Sequence, residues 1–411
     1  MQTTPHIQGW CPGAWQPMAS GDGLVVRVRP PLGRLGVAQA RRLARLALVH
    51  GNGVLELSSR ANVQLRGIAP GRHGAVLGAL ASMGLLDADA GRERRRNLVI
   101  DPLCRPPEGV QALGLVLQQA LDAAQDLDGL PAKFGWSIEG APGRLAGVSA
   151  DIRLQRDAGG WLVRPHGRDQ ALQARDGNEA VALGLGLARW FAGRSAQRRA
   201  LGLRPGRMAA MARELQAPPG AAWVAAQPEA PCEGPAPGAV PGLGWLVAAP
   251  LGRLPALTLL RLLRALPGRA GLRVTPWRML LLEGDGDGRP AWWGAAGLDD
   301  DWAWITGAQD PRLRVSACTG APGCSQALGP TQDLALELAD HVPEGDHLHV
   351  TGCAKGCARQ APATVVLRAE RDAGGQAVYG LVHQGRAGDA ALQQRTAAAL
   401  RDNPGLLFSK E

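Results

Sequence analysis

The sequence predicts an α+β fold built from two similar halves. Three observations predict it: a repeated five-residue motif, the same order of elements around each copy, and a proline-rich stretch near the midpoint. The first copy follows a short strand, Leu24-Val25-Val26-Arg27-Val28. Then come Pro31-Leu32-Gly33-Arg34-Leu35, a helix over 37–50 with Leu43, Leu46 and Ala47 on a helical period, and a strand over 54–57. The second copy follows Gly244-Trp245-Leu246-Val247. It reads Pro250-Leu251-Gly252-Arg253-Leu254, then a Leu-rich helix over 256–266 and a strand over 272–274. An order shared around a shared motif points to internal duplication. Between the halves, residues 217–241 hold seven prolines, which neither continue a helix nor pair as a central strand. Further along, 181–191 reads as a buried helix despite Gly184 and Gly186. Residues 333–338 read as a helix with Thr331 as its N-cap, and 347–351, 364–367 and 379–382 as strands.

Composition limits the function. The chain has 411 residues, enough for two to three domains, and at 45% hydrophobic and 20% charged it can bury a core. The most apolar stretch, 257–266, is broken by Arg261 and Arg264, so no membrane span is expected. The N-terminus has neither a basic nor an apolar signal region, and a cytoplasmic protein is the expectation. A net charge of +9 favours an anionic partner. The only basic run, Arg92-Glu93-Arg94-Arg95-Arg96, is short and carries an acid, and no nucleic-acid signature accompanies it. A small anion is therefore favoured over nucleic acid. Arginine outnumbers lysine 42 to three, the lysines being Lys133, Lys355 and Lys410. A surviving lysine hints at a need for a compact ammonium.

Seven cysteines in a chain of this size are not a disulfide framework. Four cluster as Cys318-x5-Cys324 and Cys353-x3-Cys357. Four thiolates suit tetrahedral zinc or a cubane iron–sulfur cluster. Structural zinc uses tighter pairs, and Gly320, Gly323, Gly352 and Gly356 let backbone N–H groups approach sulfur. The order of preference is therefore iron–sulfur, then zinc, then four core thiols. Cys11, Cys104 and Cys232 read as ordinary thiols.

The cysteine pattern resembles the sirohaem-type nitrite and sulfite reductases, and three further motifs agree. Ser58-Ser59-Arg60-Ala61-Asn62-Val63-Gln64 is similar to the family's Thr-x-Arg-x-x-x-Gln strand, Arg96-Asn97-Leu98-Val99 to its Arg-Asn-Val segment, and Leu130-Pro131-Ala132-Lys133-Phe134 to its Pro-Arg-Lys-Phe segment. The resemblance implies two ferredoxin-like half-domains, at 1–85 and 242–305, and a split catalytic domain at 86–216 and 306–411, related by a pseudo-twofold axis, with 217–241 as linker. It implies a [4Fe–4S] cluster on Cys318, Cys324, Cys353 and Cys357, the last facing the tetrapyrrole. It also implies that Arg60, Arg96 and Lys133 are catalytic groups facing the macrocycle, with Asn62, Gln64, Arg66 and Asn97 as further substrate contacts.

The chain departs from the reductases at Gly135, where sulfite reductases place a second lysine, and at Lys355, where a small polar residue is usual. In these details it looks most like the oxygen-dependent branch of the family, the precorrin-3B synthases. That resemblance implies precorrin-3A as substrate, a non-haem iron beside the cluster, NADH and O2 as co-substrates, an electron-donor system and a monomeric state. Arginines suit a polycarboxylate tetrapyrrole because they bind carboxylates bidentately. A sirohaem-dependent sulfite or nitrite reductase is the alternative. A zinc protein contacting nucleic acid ranks last, since it leaves the duplication unexplained. His347 and His349 share a strand face and are open to two readings, iron ligands or ordinary strand residues.

Overall fold

The computed structural model describes residues 11–105, 109–226, 234–268, 270–286, 288–300 and 302–408. Cys232 and Lys410 lie outside them. Two five-stranded antiparallel sheets and two mixed sheets carry the fold.

The repeated motif explains how the halves join. In Pro31–Gly33 and again in Pro250–Gly252, proline opens a tight turn, and the next two residues enter the left-handed region: Leu32 at φ 51° and Gly33 at 71°, Leu251 at 56° and Gly252 at 71°. The turn releases a short strand that leaves its own half. Arg34–Gly36 pairs with Gly271–Val274, and Arg253–Pro255 pairs with Val54–Leu57. Each antiparallel sheet is thus closed by a strand from the other half. One runs Met18–Ser20, Gly23–Val28, Val63–Ile68, Val54–Leu57, Arg253–Pro255. The other runs Gly238–Val240, Gly244–Ala248, Met279–Glu283, Gly271–Val274, Arg34–Gly36.

Helices Val37–His50 and Ala256–Ala265 follow the exchanged strands. The first buries Val37, Ala40, Leu43, Ala44, Leu46 and Ala47, a spacing of three and four that makes one apolar face. The second buries Ala256, Leu259, Leu262 and Leu263. Both faces enter one core shared by the two halves, from Ala14 to Trp304.

The two mixed sheets also match. Leu98–Ile100, Trp136–Glu139 and Ile152–Asp157 are parallel neighbours continued by antiparallel strands, and so are Val315–Ala317, Leu348–Thr351 and Ala363–Arg371.

Several expectations change. The strand Gly238–Val240 pairs with Gly244–Ala248, so the second half begins before 242. Within 217–241, Trp223–Ala225 forms an edge strand on Gln170–Ala174; an edge needs only one hydrogen-bonded side. The helix expected over 181–191 runs Gly177–Ala200. Gly184 serves packing there, since a Cβ would stand 3.2 Å from the Trp136 ring. Thr331 occupies the N-cap position of Gln332–Glu337 without capping it; its hydroxyl donates instead to the Cys318 carbonyl at 2.7 Å.

Candidate active site

A cleft of about 350 Å³ lies where the first half-domain, the second half-domain and the cysteine loops meet. Its wall from the first half carries Arg27, Glu56, Ser58, Ser59, Gln64 and Arg66. The second half adds Leu251, Arg253 and Arg278, and the cysteine loops add Cys318, Cys324, Lys355 and Cys357. Five cations against the single carboxylate of Glu56 make this lining strongly basic.

The cysteine loops leave the carboxyl ends of two adjacent parallel strands, Val315–Ala317 and Leu348–Thr351, which brings distant sequence pairs together. The Gly352 N–H donates to Cys318 Sγ at 3.2 Å, and the Lys355 N–H donates to the Cys353 sulfur. Gly320 and Gly356 hold φ of 67° and 58°. A Cβ on Gly320 would strike Thr331, and one on Gly356 would strike Ala387. Desolvation within the cleft pushes the Cys357 thiol up to about 11 although the residue is exposed, and Cys318, Cys353 and Cys324 push the same way while Lys355 opposes them. Burial likewise raises Cys353. Cys318, Cys324 and Cys357 thus line the cleft, and Cys353 lies near enough for its charge to act on Cys357.

This donor set fits a cubane cluster: soft thiols, N–H groups aimed at sulfur, and backbone held close. It does not fit a single ion. Among the described residues no group of three or more His, Cys, Asp or Glu side chains is placed to hold one. The mononuclear iron implied by the resemblance thus finds no ligand group among the described residues. His347 Nε2 bonds the Ser316 hydroxyl at 3.0 Å, while buried His349 has no hydrogen-bond partner at either ring nitrogen among the described residues.

The other expected residues divide. Gln64 and Arg66 line the cleft. Gln64 Oε1 accepts from Arg27 at 2.7 Å, and its amide donates to Glu56 at 3.2 Å. Arg66 is buried and donates to Asp22 at 3.0 Å, to the Ser20 hydroxyl at 2.9 Å and to the Gly323 carbonyl at 3.0 Å, so it ties the first half to the first cysteine loop. Arg60 lies in the turn before Val63–Ile68, not on a strand. It donates to the Lys133 carbonyl at 3.4 Å and to Ser149 at 3.2 Å, and burial lowers its pKa. Arg60 and Lys133 are therefore brought together beside Ser58 and Ser59, although neither lines the cleft itself.

Arg96 goes elsewhere. It is 6% exposed and paired with Asp87 at 2.7 Å, with a further bond to the Arg29 carbonyl. The structure thus places Arg96 in a buried ion pair outside the cleft lining, away from the macrocycle-facing position expected of it. Asn97 donates to the Phe134 carbonyl at 2.8 Å, and Asn62 is buried with its amide nitrogen unpartnered among the described residues. Neither reaches the cleft.

Arg27, Arg253 and Arg278 were not foreseen. Burial lowers Arg27 to about 10, which leaves it charged at neutral pH. Its strand position had a readable signal: alternation puts Arg27 opposite Val26 and Val28, away from the core. Arg278, at φ 60°, donates to the Ala358 carbonyl at 3.1 Å, and no local signal marks it.

Comparison with known proteins agrees with this architecture. Residues 16–83 match the nitrite/sulfite reductase ferredoxin-like half domain. A precorrin-3B synthase of Sinorhizobium sp is 30% identical over 404 residues, covering 92% of this chain and 83% of that protein. The chain belongs to the precorrin-3B synthase family. A ferredoxin–nitrite reductase of Synechococcus elongatus is 29% identical over 160 residues, 36% of this chain and 30% of that protein. The Mycobacterium tuberculosis NirA protein shares the fold at TM-score 0.65 and 17% identity, over 93% of this chain and 79% of that one. In this chain Gly135 has a physical basis. A Cβ there would press on Asn97 and on the Ser149 carbonyl, each 3.2 Å away, with Arg60 at 3.6 Å. No helix among the described residues is long and apolar enough to cross a membrane.

Proposed function

We propose that this chain is a precorrin-3B synthase. It takes precorrin-3A, hydroxylates the meso carbon C20 and closes the ring-A acetate onto C1 as a γ-lactone, in aerobic cobalamin biosynthesis. One atom of O2 enters the product; two electrons from NADH, delivered by a donor system, and two protons take the other to water. The observation that carries the reading is the basic cleft walled on one side by the cysteine loops, in a chain of this family.

Precorrin-3A carries many acetate and propionate carboxylates. Arg27, Arg253 and Arg278 present guanidinium groups around the cleft, suited to hold such a polyacid in one orientation. Glu56, bonded to Gln64 and 3.8 Å from Arg66, keeps part of this charge in place. Arg60 and Lys133 stand at the adjoining edge, where a substrate carboxylate or developing negative charge would meet them. Cys318, Cys324, Cys353 and Cys357 would hold a [4Fe–4S] cluster, which supplies electrons one at a time. With Gly135 in place of a second lysine, the edge near Arg60 has one ammonium fewer for reducing a small anion than sulfite reductases have.

The test is the absorption spectrum of anaerobically purified protein, with acid extraction of any tetrapyrrole. A broad iron–sulfur spectrum without extractable sirohaem is expected, followed by O2-dependent conversion of precorrin-3A into a product that carries one labelled oxygen from 18O2. Stoichiometric sirohaem with sulfite or nitrite reduction would overturn the reading.

A further inference from the structure

We propose that Lys355 is a positioning residue that raises the reduction potential of the cysteine-bound cluster. The proposal rests on the cluster reading above and concerns a residue that the substrate argument leaves unused.

Lys355 stands inside the second cysteine loop, between Cys353 and Cys357, and its side chain lines the cleft with Cys318, Cys324 and Cys357. Its backbone is fixed from several directions. The N–H donates to the Cys353 sulfur, the carbonyl accepts from Gln360 at 3.0 Å, and the following Gly356 carbonyl accepts from the same amide at 2.6 Å. Arg278 holds the loop's far end through Ala358 at 3.1 Å. The ammonium is therefore carried on a backbone anchored to the cluster ligands.

Its charge is also uncompensated. Arg66 is committed to Asp22 and Glu56, and Arg253 stands 4.0 Å from Glu56. Lys355 has no ion-pair partner among the described residues. Four thiolates and a cubane carry net negative charge, which grows on reduction. A nearby positive charge favours the reduced state, and net charge is one of the levers on such potentials. A lysine retained in a chain with only three is consistent with a need for that charge here.

The experiment is a redox titration of anaerobically purified holoprotein, followed by electron paramagnetic resonance, for wild type, K355Q and K355R. Iron and sulfide content are measured alongside. K355Q is expected to lower the reduction equilibrium constant at least tenfold, about 59 mV for a one-electron couple. K355R is expected to stay near wild type. The scarcity of lysine allows a second route that needs no refolding: acetylating the loaded protein neutralises few sites. Acetylation should lower the midpoint of wild type and leave that of K355R in place. A normal cluster whose midpoint moves neither in K355Q nor on acetylation overturns the role of Lys355 alone. Wild-type protein that binds no cubane overturns the cluster reading, and this proposal with it.

Discussion

Arg66 and Arg96 are two buried arginines that fold into different jobs. Arg66 reaches across to the Gly323 carbonyl in the first cysteine loop, whereas Arg96 closes on Asp87. Their motifs placed both near a macrocycle, but a motif does not say which acid a guanidinium will meet. Removing one member of a buried ion pair strands the other charge, at about 3–5 kcal/mol. Arg96→Met is therefore expected to lower stability by that amount in denaturant unfolding, with Asp87→Leu in the same chain recovering most of it. If Arg96→Met leaves stability unchanged but abolishes substrate binding, Arg96 must leave Asp87 and face the cleft. Arg27 was readable from strand alternation and Arg278 was not, because its left-handed turn depends on the hairpin closing around it.

The PLGRL segment shows how much one local pattern can determine. Its proline and glycine make the turn, and its last two residues begin the strand that crosses to the other half. The turn is legible in sequence; the partner of the strand is not, since local periodicity carries no address. A second case is the strand Leu348–Thr351. Its residues Leu348 and Val350 face one core, which leaves His349 buried on the other side and His347 just before the strand begins. Burial, aided by Arg359, lowers His347 from 6.5 to about 3. The folded protein keeps it neutral while the unfolded chain takes up a proton below pH 6.5. The His347 contribution to stability therefore falls as the pH drops from 6.5 towards 3, by up to about 1.4 kcal/mol per pH unit, and is constant above. His347→Asn, which can still bond Ser316, should remove the His347 share of that acid limb in urea unfolding measured across pH and leave the share of His349, which burial lowers to about 4. An unchanged slope would show that His347 titrates normally.

At the scale of the whole molecule, the duplication makes two equivalent faces and opens only one of them. The strand pairings align Glu56 with Arg273, Gln64 with Leu281 and Arg27 with Leu246. The Glu56–Arg66 pair of the first half recurs in the second with its charges exchanged, as Arg273–Glu283 at 2.7 Å. Where the first half has Arg27 and Gln64 on the cleft, the second has Leu246 and Leu281 packed against Ile305. Apolar filling closes one face, and polar side chains keep the other open. The exchanged strands and the common core also tie the halves together. A chain cut in the proline-rich stretch is therefore expected to yield two fragments without cooperative unfolding on their own, which regain a single transition when co-expressed. Independent sharp transitions for the fragments would contradict a shared core.

By itself the sequence determined the two half-domain helices, the repeated turn, the cysteine spacing and the family, because each is written in local periodicity, in the fixed φ of proline or in short-range order. Only the tertiary structure decided which basic groups line the cleft, that Arg96 is spent on Asp87, and that each sheet borrows a strand from the opposite half. Those outcomes depend on partners far away in the chain. The charge of an arginine is local, but its role is set by the nearest acid and the nearest cavity after folding. The same holds for the two repeats. Their backbones are alike, and the choice of the open face rests on whether leucines or arginines meet across the finished sheet.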